Sequence, residues 1–254
     1  MIESLPQPVV FAHRGASAYA PENTLAAFRL ALEQGAQAIE FDVKLSADGQ
    51  VVVIHDHTVD RTTDGTGRVS GLPLAALREL DAGSWLSAAG APPGRFRGEK
   101  IPTLEEVFET FGKRLLMNVE LTNYTTPLDE LVPKVVQLVE KHGLERHVWL
   151  ASFFPHTVIR AARLLPSVPR AQLLWPGPAG WWQRAWGRLL DVQAEHPYKG
   201  DVTAPYVQNA HTHRRRVHVW TVNQPDEMRR LKALHIDGIF TDDPPTAIEI
   251  LNPK

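Results

Sequence analysis

Eight apolar, strand-like runs recur along the 254 residues with helix-like patterns between most of them, and this alternation limits the fold more than any other feature. The runs occupy 9–12, 36–43, 115–121, 148–152, 170–174, 190–194, 217–222 and 238–241. Each is short, rich in Val, Ile, Leu or Phe, and bounded by turn or cap residues. Helical periodicity fills 24–34, 104–111, 128–142, 156–165, 204–215, 226–234 and 246–251. Strands that alternate with helices build parallel sheets. Eight such repeats in a chain of about 250 residues match a closed α/β architecture, the (β/α)₈ TIM barrel, better than its rival, an open doubly wound sheet.

Two stretches interrupt the repeat. From about 58 to 100 the sequence is turn-rich, with Asp64-Gly65-Thr66-Gly67 and Ala91-Pro92-Pro93-Gly94. A gap that long predicts a small inserted subdomain, or a lid, after the second strand, within one TIM-barrel domain spanning 1–254. The second is 175–186, WPGPAGWWQRAW, which holds four of the seven tryptophans. It reads as a loop whose indoles pack onto the barrel. The alternative is that exposed tryptophans grip an apolar ligand tail.

Composition narrows the function. With 43% hydrophobic residues and a net charge of −2, the chain can bury a full core and carries no polybasic signature. Nucleic acid and anionic membranes are therefore not expected partners, and any bound anion must be held locally. The basic run at 211–216 ends a helical stretch, where cations complement the macrodipole. No cysteine is present, which excludes disulfides, zinc thiolate sites and a thiol nucleophile. Residues 1–8 lack a basic-then-apolar signal pattern, and no apolar run is long enough to span a bilayer, so a cytoplasmic protein without stable membrane insertion is expected.

His13 closes the first strand, and barrels carry their chemistry at the carboxyl ends of strands. A single histidine there is as readily structural, so its neighbours decide. In AIEFDVKL, 38–45, side chains alternate faces. Ile39, Phe41 and Val43 would face the helices, leaving Glu40 and Asp42 aimed into the barrel mouth, where unpaired charge is costly without a cation. An antiparallel edge strand with a wet face would show the same alternation. Asp48-Gly49 then signals a two-residue hairpin that folds 51–54 back antiparallel. Counting outward pairs Ala47 with Gln50, Leu45 with Val52, and Asp42 with His55, which sets His55 beside the carboxylates at the level of His13. In LLMNVEL, 115–121, Asn118 and Glu120 share a face and Glu120 stands at the strand's carboxyl end. Three carboxylates without cysteine suit one hard divalent cation, Mg²⁺ or Ca²⁺.

These residues resemble the glycerophosphodiester phosphodiesterase family. The likeness runs through His13-Arg14-Gly15, Pro21-Glu22-Asn23-Thr24, Glu40-x-Asp42, His55-Asp56, Asp60-Arg61-Thr62-Thr63 and Gly65-x-Gly67. It continues through Asn118-Val119-Glu120, Ser152-Phe153, Trp220-Thr221-Val222-Asn223 and Asp237 to Asp242, in order over nearly the whole chain. The resemblance implies a barrel with an insertion after its second strand and metal ligands at Glu40, Asp42 and Glu120. It further implies His13 and His55 as an unranked general acid and base, and substrate contacts at Arg14, Thr122 and Trp220. The family commonly has Glu-x-Lys after the third strand, its lysine helping to hold phosphate. Here the run is Glu120-Leu121-Thr122, so Arg14 or another cation must do more. The implied reaction is metal-dependent hydrolysis of small glycerophosphodiesters, part of glycerol and lipid metabolism, to sn-glycerol 3-phosphate and an alcohol such as choline or ethanolamine. The alternatives are a lysophospholipase D-like phosphodiesterase, with the tryptophan-rich stretch holding an acyl chain, and a non-catalytic barrel that binds phosphodiesters or lipids.

Overall fold

Near-continuous apolar runs let the strands bury both faces, one against the barrel interior and one against a helix layer. In the computed structural model, which describes residues 7–86, 94–124, 126, 128–187 and 189–253, the strands form one sheet. They are β1 Val9–His13, β2 Ala38–Leu45, β3 Val51–Val53, β4 Leu116–Leu121, β5 Val148–Ser152, β6 Arg170–Leu173, β7 Ala194–His196, β8 Arg216–Val219 and β9 Gly238–Thr241. All except β3 pair in parallel in the order β1-β9-β8-β7-β6-β5-β4-β2, and β1 also pairs with β2, closing an eight-stranded TIM barrel. Most of the 1–8 segment and most of Ala91-Pro92-Pro93-Gly94, both read from sequence above, lie outside the described residues.

The helices are α1 Leu25–Glu33, α2 Leu74–Glu79, α3 Leu104–Phe111, α4 Leu131–His142, α5 Pro155–Leu164, α6 Pro178–Gly187, α7 Ala204–Thr212, α8 Pro225–Ala233 and α9 Pro244–Leu251. Local chemistry sets their starts. Thr24 accepts from the Ala27 amide at the head of α1, Thr103 and Glu106 form a capping box on α3, and proline opens α5, α7, α8 and α9. Ile39, Phe41 and Val43 of β2 pack outward with Phe28, Val107, Phe111 and Val135. Val9, Phe11, Ala38, Leu116, Trp149, Ala171 and Phe240 fill the barrel itself.

Three expectations need correcting. The sixth barrel strand, β7, is Ala194–His196 and not 190–194, which places His196 at a strand's carboxyl end. The 175–186 stretch is largely helix, α6; Trp175 stacks on Phe153, but Trp181 and Trp182 are not packed away and are 65% and 71% exposed. The hairpin register is shifted by one, pairing Val43 with Val53, Lys44 with Val52 and Leu45 with Val51. The loop is three residues, Ala47-Asp48-Gly49, closed by the Ser46 amide on the Gln50 carbonyl, with Gly49 at φ +75°. Asp-Gly serves a three-residue loop as well as a two-residue one, because only glycine takes the left-handed position cheaply. Asp42 therefore faces Ile54, whose amide bonds its carbonyl at 3.0 Å. Pairing ends at Val53, and the chain then turns so that His55 still reaches the mouth.

Residues 58–100 contribute α2 and a short 3₁₀ turn at Val69–Gly71. Val59, Val69, Leu77 and Ala82 of this stretch bury against Val52 and Ile54 in a small apolar cluster over the barrel rim.

Candidate active site

A cavity of about 240 Å³ opens at the carboxyl ends of the strands. One wall is polar: His13, Arg14, Glu40, His55, Asn118 and Glu120. The opposite wall is mostly apolar, with Phe153, Leu173, Trp175, Trp220 and Phe240, and Tyr124 closes one side.

The two histidines are held alike. His13 Nδ1 lies 2.6 Å from Asp242 Oδ1, and His55 Nδ1 lies 2.6 Å from Asp56 Oδ1. A carboxylate at Nδ1 fixes the tautomer with its proton there and leaves Nε2 for a reacting atom. Asp242 also accepts from Ser17 Oγ at 3.0 Å and Asn223 Nδ2 at 2.5 Å. Burial alone would raise its pKa, but the bonds from His13, Asn223 and Ser17 bring it down to about 2. Asp56 is held well below the usual carboxylate range by its hydrogen bonds from Arg61, and His55 adds to this. Arg61 also bonds both oxygens of Glu22 at 2.8 Å, and Glu22 in turn bonds Arg14 at 2.8 Å. An ion-pair chain thus runs Arg14, Glu22, Arg61, Asp56, His55, tying the start of α1 to the 58–100 stretch.

Arg14 sits at φ +55°, a strained conformation for a side-chain-bearing residue. That turn aims its amide at Glu40 Oε2, 3.1 Å away, and sets its Nε 3.4 Å from Asp42 Oδ2. Burial works against the guanidinium charge, but Asp42, Glu22 and Glu40 more than offset it. Asn23, also at positive φ, donates to Asp42 Oδ2 at 3.0 Å.

Glu40, Asp42 and Glu120 bring one oxygen each within 4.8 Å of one another. The ladder explains this, since β2 and β4 pair Glu40 with Asn118 and Asp42 with Glu120. Burial and the neighbouring Asp42 push the Glu120 carboxyl up to about 8. Burial, Asp42 and Glu120 push Glu40 well above its ordinary value. Burial also opposes ionisation of Asp42, but Arg14, His55 and Asn23 hold its pKa down. One guanidinium faces three carboxylates, so the donor set and its charge imbalance fit a divalent cation with oxygen preference. A second acidic group, Glu105, Glu109 and His142, lies on α3 and α4, but Lys141 and His142 already bond Glu105 there.

Thr122 needs correcting. It is 2% exposed and is not among the lining of this cavity, because its hydroxyl donates to the Val43 carbonyl at 2.7 Å and accepts from Lys44 Nζ at 2.7 Å. Trp220 does line the cavity, but with its ring, since its indole N–H donates to the His196 carbonyl at 2.8 Å. Sequence reasoning left out Asp242, Asp56, Tyr124 and Asn118 as site residues. Asp242 could have been found, because it follows β9 directly and β9 neighbours β1 in any closed barrel. Tyr124, whose hydroxyl bonds Glu120, carries no such signal.

A sequence profile described as "Glycerophosphoryl diester phosphodiesterase family" matches residues 13–246. The chain belongs to that family. A glycerophosphodiester phosphodiesterase of Caldanaerobacter subterraneus is 35% identical over 96% of this chain and 97% of its own length. One from Bacillus subtilis is 33% identical over 92% and 83%. Among solved structures, a phosphodiesterase of Oleispira antarctica in complex with the product sn-glycerol-3-phosphate superposes with a TM-score of 0.85 at 32% identity, covering 97% of each chain. The family match begins at His13 and extends past Asp242, so all of the residues described above fall within it. This phosphodiesterase has no helix among its described residues long and apolar enough to cross a membrane.

Proposed function

We propose that this phosphodiesterase hydrolyses glycerophosphodiesters to sn-glycerol 3-phosphate and an alcohol, with a divalent cation and two histidines. The observation that carries the reading is the convergence of His13, His55, Arg14, Glu40 and Glu120 on one cavity, with Asp242 and Asp56 bonded to the two histidines and Asp42 grouped with the two glutamates. Glu40, Asp42 and Glu120 would hold Mg²⁺ or Ca²⁺, which when bound supplies positive charge to the phosphate oxygens. Arg14, which lines the same cavity, would offer its planar fork to those oxygens.

One histidine takes the proton of the attacking hydroxyl as the new P–O bond forms; that hydroxyl belongs to water, or to the substrate's own 2-position, in which case water then opens the resulting cyclic phosphate. The other gives a proton to the departing alkoxide as the old P–O bond breaks. Asp242 and Asp56 stabilise whichever ring is protonated and hold both rings aimed. The apolar wall excludes water and strengthens each charge interaction in the cavity. Residues 58–100 act as an inserted subdomain of the one catalytic domain, and their Arg61 braces Asp56 and through it His55. A non-catalytic binding barrel would have no use for two oriented proton-transfer groups.

A second reading is lysophospholipase D-like activity, favoured by exposed Trp181 and Trp182 on the helix that follows Trp175 of the cavity wall. Turnover of a panel of glycerophosphodiesters and lysophospholipids, with Mg²⁺, Ca²⁺ or chelator, tests both. Hydrolysis of glycerophosphocholine that chelator abolishes is expected. A preference for lysophospholipids would select the second reading, and undiminished turnover in excess chelator would remove the metal.

A further inference from the structure

Beside the first cavity lies a second, of about 410 Å³, between the barrel rim and the 58–70 part of the insertion. Tyr124 stands between them. Its ring lines the first cavity, while the Lys44 ammonium, which lines the second, lies 5.9 Å from the ring centroid.

The second cavity has the opposite electrostatic character. Lys44 of β2, His57 of the loop after β3, and Arg68 of the insertion converge on it from three separate segments, with Ser70 beside them; Ser46 and Thr58 also line it, but their hydroxyls are bonded to Asp48 and Asp60. Its one carboxylate is Asp129, whose oxygens accept from Asn123 Nδ2 at 3.0 Å, Thr126 Oγ1 at 2.7 Å and the Leu131 amide at 3.0 Å. That charge is committed to the start of α4. Lys44 is 7% exposed and spends its bonds on Thr122, and among the described residues no carboxylate lies within ion-pair distance of Lys44, His57 or Arg68. Three cationic or cation-forming groups thus face one space, one of them buried; none is ion-paired there, and the more distant Asp42, Glu120 and Asp56 offset only part of the Lys44 desolvation. Burial lowers the pKa of His57, and the Lys44, His55 and Arg68 charges lower it further, as expected where like charges crowd.

We propose that this cavity is a second oxyanion site, which takes a phosphate or carboxylate group. The group comes either from the alcohol half of the substrate held in the neighbouring cavity or from a free anion. The substrate arm rests on the reading that the first cavity cleaves glycerophosphodiesters. A guanidinium fork, an ammonium and an imidazole that no carboxylate ion-pairs, with a hydroxyl beside them, are a donor set that oxyanions select.

The test uses Arg68→Gln and His57→Gln, both exposed positions that leave the first cavity intact. With glycerophosphocholine and a glycerophosphodiester whose alcohol bears a terminal phosphate, each variant is expected to raise KM for the phosphorylated substrate roughly three- to tenfold. Glycerophosphocholine kinetics should stay at wild-type values. In parallel, inorganic phosphate is titrated while the melting temperature is followed, and part of the wild-type shift should vanish in Arg68→Gln. Loss of that shift with unchanged substrate ratios assigns the site to free anions. Wild-type behaviour of both variants in both measurements would overturn the site. If no glycerophosphodiester is turned over at all, the function reading falls, but the phosphate titration still reads the second cavity.

Discussion

The two halves of the barrel mouth differ in kind. β1, β2 and β4 bring His13, Arg14, Glu40 and Glu120 to the cavity, whereas β5 through β9 bring mostly apolar groups, Phe153, Leu173, Trp220 and Phe240, with His196 of β7 the buried exception. The aromatic side is a packed unit: Phe153 stacks on Trp175 at 4.2 Å between centroids and meets Trp220 edge-on at 5.7 Å. The charged side is oriented by hydrogen bonds, the apolar side by packing. In the proposed mechanism, chemistry that moves protons and stabilises developing charge belongs to the first, and the second contributes shape and low dielectric. Asp242 breaks the division in sequence but not in space, because β9 lies against β1.

The sharpest way to break this comparison is to remove charge from the first half. Glu120→Gln or Asp42→Asn should abolish turnover nearly completely and weaken Mg²⁺ or Ca²⁺ binding in a calorimetric titration, and chelator should reproduce the loss in the wild type. Full activity in chelator would leave the carboxylates without their role.

Next in size are the proton-transfer groups. His13→Ala and His55→Ala should each lower kcat by roughly 10² to 10⁴, while circular dichroism melts and metal binding stay near wild type. Near-normal turnover by both variants on a substrate with a poor alkoxide leaving group would sink the two-histidine mechanism.

Arg14→Lys keeps the charge but loses the fork and its bond to Glu22, so KM should rise roughly tenfold with a smaller fall in kcat. Across the cavity, Trp175→Ala should change KM only a few-fold and leave kcat alone, since it removes apolar wall and no charge. A larger loss of kcat from Trp175→Ala than from His13→Ala would dissolve the contrast between the halves.

The smallest effect is on stability. In the metal-free protein the pKa of Glu120 is raised by burial and Asp42 from its ordinary 4.5 to about 8. The folded state then binds more protons than the unfolded state between those values, so stability falls as pH rises through that window. The metal-free melting temperature should drop on the order of a few degrees between pH 5 and 8, and saturating metal should cancel the drop. A flat profile without metal would mean that the carboxylates are already compensated.

Much of the charged half was legible because strand periodicity is local. Alternation in 38–45 and 115–121 assigned Glu40, Asp42 and Glu120 to one face, and β2 to β4 pairing put them side by side. The hairpin register was misread because Asp-Gly alone does not distinguish loop lengths, and the ladder's early end hid the error. The tryptophan-rich stretch was misread because proline and glycine suggest a loop, yet proline at the first turn of α6 is compatible with a helix. Thr122 was misplaced because its partner, Lys44, is 78 residues distant.

By itself the sequence determined the eightfold strand-helix repeat, the faces on which carboxylates and histidines stand, and the family to which the chain belongs, because each depends on short-range pattern. Barrel closure decided the rest. Only when β9 meets β1 does Asp242 reach His13, and only when the 58–100 stretch folds over the rim does Arg61 link Asp56 to Glu22. Those contacts join residues far apart along the chain. Their energies come from burial and charge pairing in one closed volume, which no local spacing encodes.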